Sequence, residues 1–480
     1  MNFIGIDAGT TSVSGVLLNA AGGRVEEIVS VEHGAALAAD NSELDIQDPQ
    51  KILDAIESIK ATLLGRTKQE VRAISVTGQV HGILYIDADG HHVSPLYTWQ
   101  DTRGTRPLPA GTGEHGESWS DWASKISGYL IPPGYGFLTH LINQSEERVP
   151  ADAEGITSIL GYISMRLSET RAPKLETSDA HSLGLYNLKD KCFDVDALET
   201  LNIARTLVPE IVQAGTVLGT TREGIEVFAA VGDNQAGYVG SVQKPTGEPL
   251  VSIGTSAQLS VFSPTLPDSG ETTGSIGSKH YGWEGQLEIR PFPGGAFLLA
   301  GASITGGSSY RLLETLFREI CRKYAGEDPG SLLEQMNAIP YEELEDSLKL
   351  DVSTQFLGTR LDPSARGAIR RISRANFTHD YLVEGFLRGI VAEIKTYFND
   401  LPANLRENSR KIIGVGNALR RNPLLRKIIE QEFTLPLRSP AYTEEAALGA
   451  AIIAGVGAGA YDSYTSEDRP VSYESNEPFG

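Results

Sequence analysis

The chain carries one local plan twice. Residues Phe3 to Asn19 alternate apolar and small side chains on either side of Gly9, Thr10, Thr11 and Ser12, and residues Pro249 to Phe262 do the same around Gly254, Thr255 and Ser256. Alternation with β-branched residues predicts two strands joined by a tight turn in each case. A turn of Gly, Thr and Ser offers unobstructed backbone N–H groups and short hydroxyls, a surface that can wrap a phosphate. Either hairpin alone is as well explained by an ordinary β-turn. Repetition of the pattern constrains more, because it implies two similar halves that each bring such a turn to a shared cleft. The expected boundary falls after Gly237, giving domains 1–237 and 238–480.

Bulk properties narrow the partners. At 480 residues the chain exceeds what one core usually serves, and 40% hydrophobic residues with 51 Gly and 24 Pro suit an α/β protein. A formal charge of -21 repels a nucleic-acid backbone and an anionic membrane. Cys192 and Cys321 are far apart and outside any ligand-spaced cluster, so neither a disulfide framework nor structural zinc is expected. The chain reaches Asp7 without a basic segment or a long apolar run, which speaks against a secretory signal. The apolar stretch from Ala446 to Tyr461 is short for a membrane span and broken by glycines. The expectation is a soluble, cytoplasmic protein with no nucleic-acid or membrane partner; oligomeric state stays open, a homodimer among the options.

Several stretches carry chemistry. A strand from Val227 to Val231 stopping at Gly232 leaves Asp233 at a helix start, where N–H groups and the helix dipole favour negative charge. Asp233 is the candidate catalytic base, although on local grounds alone it reads more readily as a helix cap. Asp7, at the mouth of the first turn, suits Mg²⁺ held through water. Gly78 and Gly82 bracket Gln79, Val80 and His81 where a strand ends, the place where α/β proteins build sites. Trp99, Gln100, Asp101 and Arg103 combine an aromatic plate with donors and acceptors, the mixture that a polyhydroxylated ligand needs. Ser178 to Leu188 reads as a further strand. Small residues around Gly306 and Gly307 lead into a helix and permit close approach of a nucleotide. The stretch Gly414 to Asn422 reads as a strand, then Gly416 and Asn417, with a helix after Pro423. From Asp462 the tail is polar and acidic and is expected to be loosely ordered. The absence of any Gly-Lys dipeptide excludes a Walker A loop, and neither Gly-rich run near the C-terminus fits a dinucleotide fingerprint.

Taken in order, Asp7-Ala-Gly-Thr-Thr11, Gly78-Gln-Val-His-Gly82, Thr98-Trp-Gln-Asp101, Gly232-Asp-Asn-Gln235, Gly254-Thr-Ser256, Gly414-Val-Gly416 and Glu444 to Ala451 resemble the FGGY carbohydrate kinases over nearly the whole chain. Within the family, Thr98 to Asp101, Gly232 to Ala236 and Gly254 to Leu259 look more like its sedoheptulokinase branch than like xylulokinase or glycerol kinase. The resemblance implies two ribonuclease H-like domains of the actin and sugar-kinase superfamily, an α/β fold around a central cleft. It implies a ketose and ATP as ligands, with Mg²⁺. It makes Asp233 the base and places Asp7 near the metal. Gln79, Val80, His81, Gly82, Trp99, Asp101, Asp233 and Asn234 would line the sugar site. Gly9, Thr10, Thr11, Gly254, Thr255, Gly306, Gly307, Gly416, Asn417 and Asn422 would contact ATP. Two positions depart from the family's pattern: Val80 stands where Met is usual, and Val415 interrupts a usual run of three glycines. The duplicated framework is also that of actin-like ATPases, and a sugar-responsive regulator of related fold is a third option, though one whose DNA-binding arm is missing here.

Overall fold

The computed structural model describes residues 1–109, 111–267, 286–359, 362 and 364–474, with the backbone alone of Trp283 and Glu284. Its frame is two mixed sheets. In the first, strand β1 (Asn2–Ala8) pairs antiparallel with β2 (Ser12–Asn19), which pairs with β3 (Arg24–Glu32). On its other side β1 runs parallel to β4 (Val71–Gly78), reached through helix α1 (Pro49–Arg66). Beyond β4 lie β5 (Val217–Thr220) and β6 (Glu226–Phe228), giving the order β5-β6-β4-β1-β2-β3. Helix α2 (Asp233–Ser241) follows.

The second sheet repeats the plan. Strand β7 (Leu250–Ile253) pairs antiparallel with β8 (Ala257–Ser263) and parallel with a later strand, as β1 does with β2 and β4. The remaining strands are β9 (Trp283–Glu284), β10 (Leu287–Phe292), β11 (Ala296–Ser303), β12 (Ile412–Val415) and β13 (Leu437–Arg438), in the order β9-β10-β11-β8-β7-β12-β13. Helices α3 (Gly307–Ala325), α4 (His379–Asn399) and α5 (Pro423–Phe433) bury a core against this sheet that includes Leu313, Phe386, Ile390 and Ile428. The repeated hairpin expected from sequence is thus the centre of each sheet. Register makes the correspondence exact in kind: Asp7, two residues before Gly9, faces Ser14 and Thr77, while Ser252, two residues before Gly254, faces Gln258 and Val415.

The last helix, α6 (Glu445–Gly457), crosses back to the first sheet. It passes β1 at Gly5, where an added Cβ would collide with the Ala447 carbonyl oxygen, so only hydrogen fits. It crosses α2 with glycines on both sides, Gly240 against the Glu445 carbonyl and Gly449 against that of Ala236. Alanine and glycine in α6 make this approach possible, and a shared core of Phe3, Phe228, Ala236, Val239, Ile413 and Ile452 fills the space between the sheets.

Two expectations fail here. Residues 177–182 form a short helix, Thr177–Ser182, instead of a strand, because Glu176 caps it by accepting from the Ser178 N–H at 2.7 Å. The tail is not loose through residue 474. Arg469 is 2% exposed and donates to the carbonyls of Val239, Val242 and Gln243 at 2.7, 2.8 and 2.9 Å, satisfying the acceptors left over where α2 ends. Tyr473 donates to Glu248 at 2.9 Å.

Candidate active site

The acid side of the site is built by two junctions. Gly232 is the N-cap residue of α2 and Asp233 its first residue, so Asp233 is not the cap; its Oδ1 accepts from the Asn234 N–H at 2.6 Å. The Gly232 N–H donates to Ser178 Oγ at 3.0 Å, and that hydroxyl donates to the buried Glu176, so the loop before Asp233 is braced from behind. Asp233 is open to solvent at the floor of the cleft and yet walled by protein. Those walls raise its pKa, while the Arg290 guanidinium and the Asn234 N–H pull it back down. Asp7, half-buried at the end of β1, is pushed up to about 7, first by burial and then by the charges of Asp233, Glu444 and Glu445. Three carboxylates therefore press on Asp7, one from the start of α2 and two from the start of α6.

At the end of β4, Gln79 is buried, donates to Gln47 Oε1 at 2.9 Å and leaves its own Oε1 without a partner. Gln47 in turn donates to the Thr10 carbonyl at 2.9 Å, so the strand-end turn and the turn after β1 are tied together. His81 adopts φ +73, which turns its ring onto Tyr135 at 4.3 Å between centroids. Its Nδ1 lies 2.9 Å from the Ser182 carbonyl, fixing that nitrogen as the protonated one. Gly82 sits flush against the Tyr97 carbonyl, and Val80 is near Gly232, its Cγ1 being 3.4 Å from where a Gly232 Cβ would stand. Trp99, 44% exposed, donates to Thr10 Oγ1 at 3.1 Å. Asn234 joins this wall to the second half by donating to Ser260 Oγ at 2.8 Å.

Asp101 does not present a carboxylate to the cleft. It is 1% exposed, and Arg103 takes both its oxygens at 2.6 to 3.0 Å while also reaching Asn143 and Glu146. The residue spacing that suggested a ligand-binding mixture instead closes a buried ion pair.

In the second half, Gly254 follows β7, Gly416 follows β12, and Gly306 with Gly307 follows β11. The N–H groups of Gly306 and Ser308 donate to the Thr255 carbonyl and that of Gly307 to Gly254, each at 2.9 to 3.0 Å. A Cβ on Gly307 would stand 3.6 Å from that of Ala418, so the three glycine stretches meet. Gly416 has φ +94 and lies against the Ile253 carbonyl, a conformation and a closeness that only glycine tolerates. Thr11, Thr255 and Asn417 are exposed at these strand ends, and the buried Ser308 hydroxyl has no partner. Asn422 is a correction: it is 4% exposed and caps α5 through Leu425 N–H at 2.9 Å, with its amide on Asn337. An Asn before Pro423 is a helix-start signal, and that is how the chain uses it.

With this geometry in view, residues 2–240 match the N-terminal domain of the FGGY family of carbohydrate kinases. The chain belongs to this family. Its reaction is phosphorylation of a carbohydrate, which sets aside the actin-like ATPase and the regulator. Mouse (Mus musculus) sedoheptulokinase is 26% identical over 94% of this FGGY kinase and 96% of its own length. Xylulose kinase of Lactococcus lactis is 23% identical over 96% and 88%. Among solved structures, xylulose kinase from Lactobacillus acidophilus superposes with a TM-score of 0.79 at 19% identity, covering 99% of this chain and 93% of its own. That likeness establishes the two-domain actin and sugar-kinase fold. Among the described residues no helix is long and apolar enough to cross a membrane.

Several groups in this kinase's cleft gave no sequence signal. Arg290 and Glu288 lie on β10, and Tyr135 precedes a helix at Gly136–Ser145. His181 is held well below its ordinary pKa, at about 4, by burial, with Glu288 opposing and Arg290 assisting. Alternation within a six-residue strand marks no chemistry, so only the fold shows that these side chains meet.

Proposed function

We propose that this FGGY kinase transfers the γ-phosphoryl group of ATP to the terminal primary hydroxyl of a ketose, sedoheptulose giving sedoheptulose 7-phosphate. The observation that supports it best is one carboxylate, Asp233, at the start of α2, near enough to Asp7 and to Arg290 for their charges to act on one another. In this reading residues 1–237 hold the sugar and residues 238–480 hold most of the nucleotide, in a cytoplasmic enzyme.

The residues present fit both ligands. For ATP, the meeting of Gly254, Gly306, Gly307 and Gly416 gives backbone that a phosphate can approach, and the unpartnered Ser308 hydroxyl lies among them. For Mg²⁺, the crowding of Asp7 by Asp233, Glu444 and Glu445 is what a divalent cation relieves. No set of three or more His, Cys, Asp or Glu side chains among the described residues has metal-site geometry. Asp7 would therefore share the ion with water and nucleotide phosphates, as Mg²⁺ commonly is held, and when bound it would neutralise charge on the phosphates.

The protein's own part is positioning and proton removal. His81, Gln79 and Trp99 orient the sugar, and the Asp233 oxygen not held by Asn234 N–H accepts the hydroxyl proton. Arg290 keeps Asp233 ionised against the cost of its surroundings. Thr10, Thr11 and Thr255 face the transferred group from the two turns.

Xylulose is the second reading, supported by the Lactococcus relative. Initial rates with sedoheptulose, xylulose, ribulose, gluconate and glycerol decide between them. Preference for sedoheptulose is expected; no turnover of it removes the first reading. Asp233→Asn should lower kcat by roughly 10²-fold or more, and near-normal turnover would take the base role from Asp233.

A further inference from the structure

A line of contacts links the two halves across the cleft. The Tyr135 ring, stacked on His81, carries a hydroxyl that donates to Glu288 Oε1 at 2.6 Å. Glu288 Oε2 accepts from Arg290 Nε at 2.7 Å and from Nη2 at 2.6 Å. Arg290 Nη1 then donates to Asn234 Oδ1 at 3.3 Å, and the amide nitrogen of Asn234 donates to Ser260. Glu288 is 2% exposed and Arg290 9%. Removing two charges from water costs about as much as their attraction returns. A pair buried here is better accounted for by what it holds in place than by added stability. Its reach is specific: one end touches the partner of a sugar-wall ring, and the other touches the residue after the base.

We propose that Arg290, anchored by Glu288, is a positioning residue for phosphoryl transfer: it holds the Asn234 amide, and with it Asp233, in register with the His81 ring across the cleft. This rests on the reading of Asp233 as the base. Arg290 and Glu288 come from the C-terminal half, whereas His81, Tyr135, Asp233 and Asn234 come from the N-terminal half. The latch therefore ties the wall that carries His81 to the half that would hold the nucleotide. A guanidinium suits the task because its planar fork grips Glu288 through two donors and leaves a third for Asn234.

The test uses the full chain with whichever ketose the wild type phosphorylates. Arg290→Met is expected to lower kcat by roughly 10²-fold, with KM for ATP changed less than about twofold. Arg290→Lys should recover part of the loss, since it keeps the charge without the fork. Tyr135→Phe should raise KM for the sugar several-fold, and its effect should be non-additive with Arg290→Met. A folded Arg290→Met with near-normal kcat overturns the proposal, as does strict additivity. If Arg290→Met does not fold, Tyr135→Phe decides alone, and unaltered sugar KM and kcat overturn it. A wild type that turns over no ketose would overturn the substrate reading instead. In that event hydrogen exchange of the Asn234 to Ala236 amides still tests the latch: it should quicken in Arg290→Lys, and unchanged exchange refutes it.

Discussion

Gly449→Ala should cripple this enzyme although the residue touches neither ligand. A Cβ at Gly449 would lie 1.8 Å from the Ala236 carbonyl oxygen, whereas real Cβ atoms stay beyond 3.0 Å, so α2 and α6 must part by about 1.2 Å (3.0 − 1.8). The oxygen belongs to backbone, and Ala236 lies three residues after Asp233 on the same short helix, so no side chain can absorb the shift. On its other side α6 rests against β1 at Gly5, two residues before Asp7. The displacement therefore separates Asp233 from Asp7. Misplacing a reacting group by about 1 Å costs on the order of 10²-fold in rate. Overpacking of this kind adds about 1–3 kcal/mol of destabilisation. The assay is kcat from coupled ADP release together with the thermal midpoint. Gly237→Ala is the control, since nothing lies within 4 Å of its added Cβ. It should leave kcat alone and stabilise α2 slightly, alanine being the better helix former. Gly449→Ala with kcat within about twofold of wild type would refute the reasoning, given the cost expected for 1 Å. Equal damage from Gly237→Ala would refute it too.

Asp179 is buried with Oδ1 unpartnered, and burial pushes it up to about 7, the Ser158 hydroxyl opposing and the Glu176 charge adding. A raised pKa favours the protonated fold, so its contribution is full below about pH 4 and is lost as pH rises through 7. Asp179→Asn should flatten the fall of the thermal midpoint between pH 5 and pH 8; an unchanged slope counts against it. Arg469→Met strips three carbonyls of their partner and should cost about 2–4 kcal/mol in urea unfolding, no loss showing the tail to be dispensable. Asp7→Asn should lower kcat by at least about tenfold and raise the Mg²⁺ concentration for half-maximal rate, the expected result of losing a ligand from a site shared with water. An unchanged Mg²⁺ titration would remove Asp7 from the metal.

Much of this was readable before any coordinates. The two hairpins announce themselves because alternation and a glycine turn are local properties, and the helix at Asp233 follows from a glycine between an apolar run and small residues. What stayed hidden depends on distant partners. Asp101 looked like a ligand group because its pairing with Arg103, Asn143 and Glu146 is settled in three dimensions. Arg290 and Glu288 sit in a strand whose pattern says only that it is a strand. The tail looked unstructured because its composition is polar, yet one arginine finding three orphan carbonyls was enough to fix it. Asn422 shows the opposite error, a local cap signal passed over for a family role.

The duplication has one further consequence. A fold copied onto itself makes a cleft with two equivalent lips, and equivalent lips cannot tell giver from receiver. Here the copies differ at one central position, Asp7 on the first and Ser252 on the second, both two residues before the turn glycine. Asp233 adds its charge beside Asp7, whereas Ser252 is neutral, so the two turns are not electrically equivalent. The gap between them thereby gains a direction.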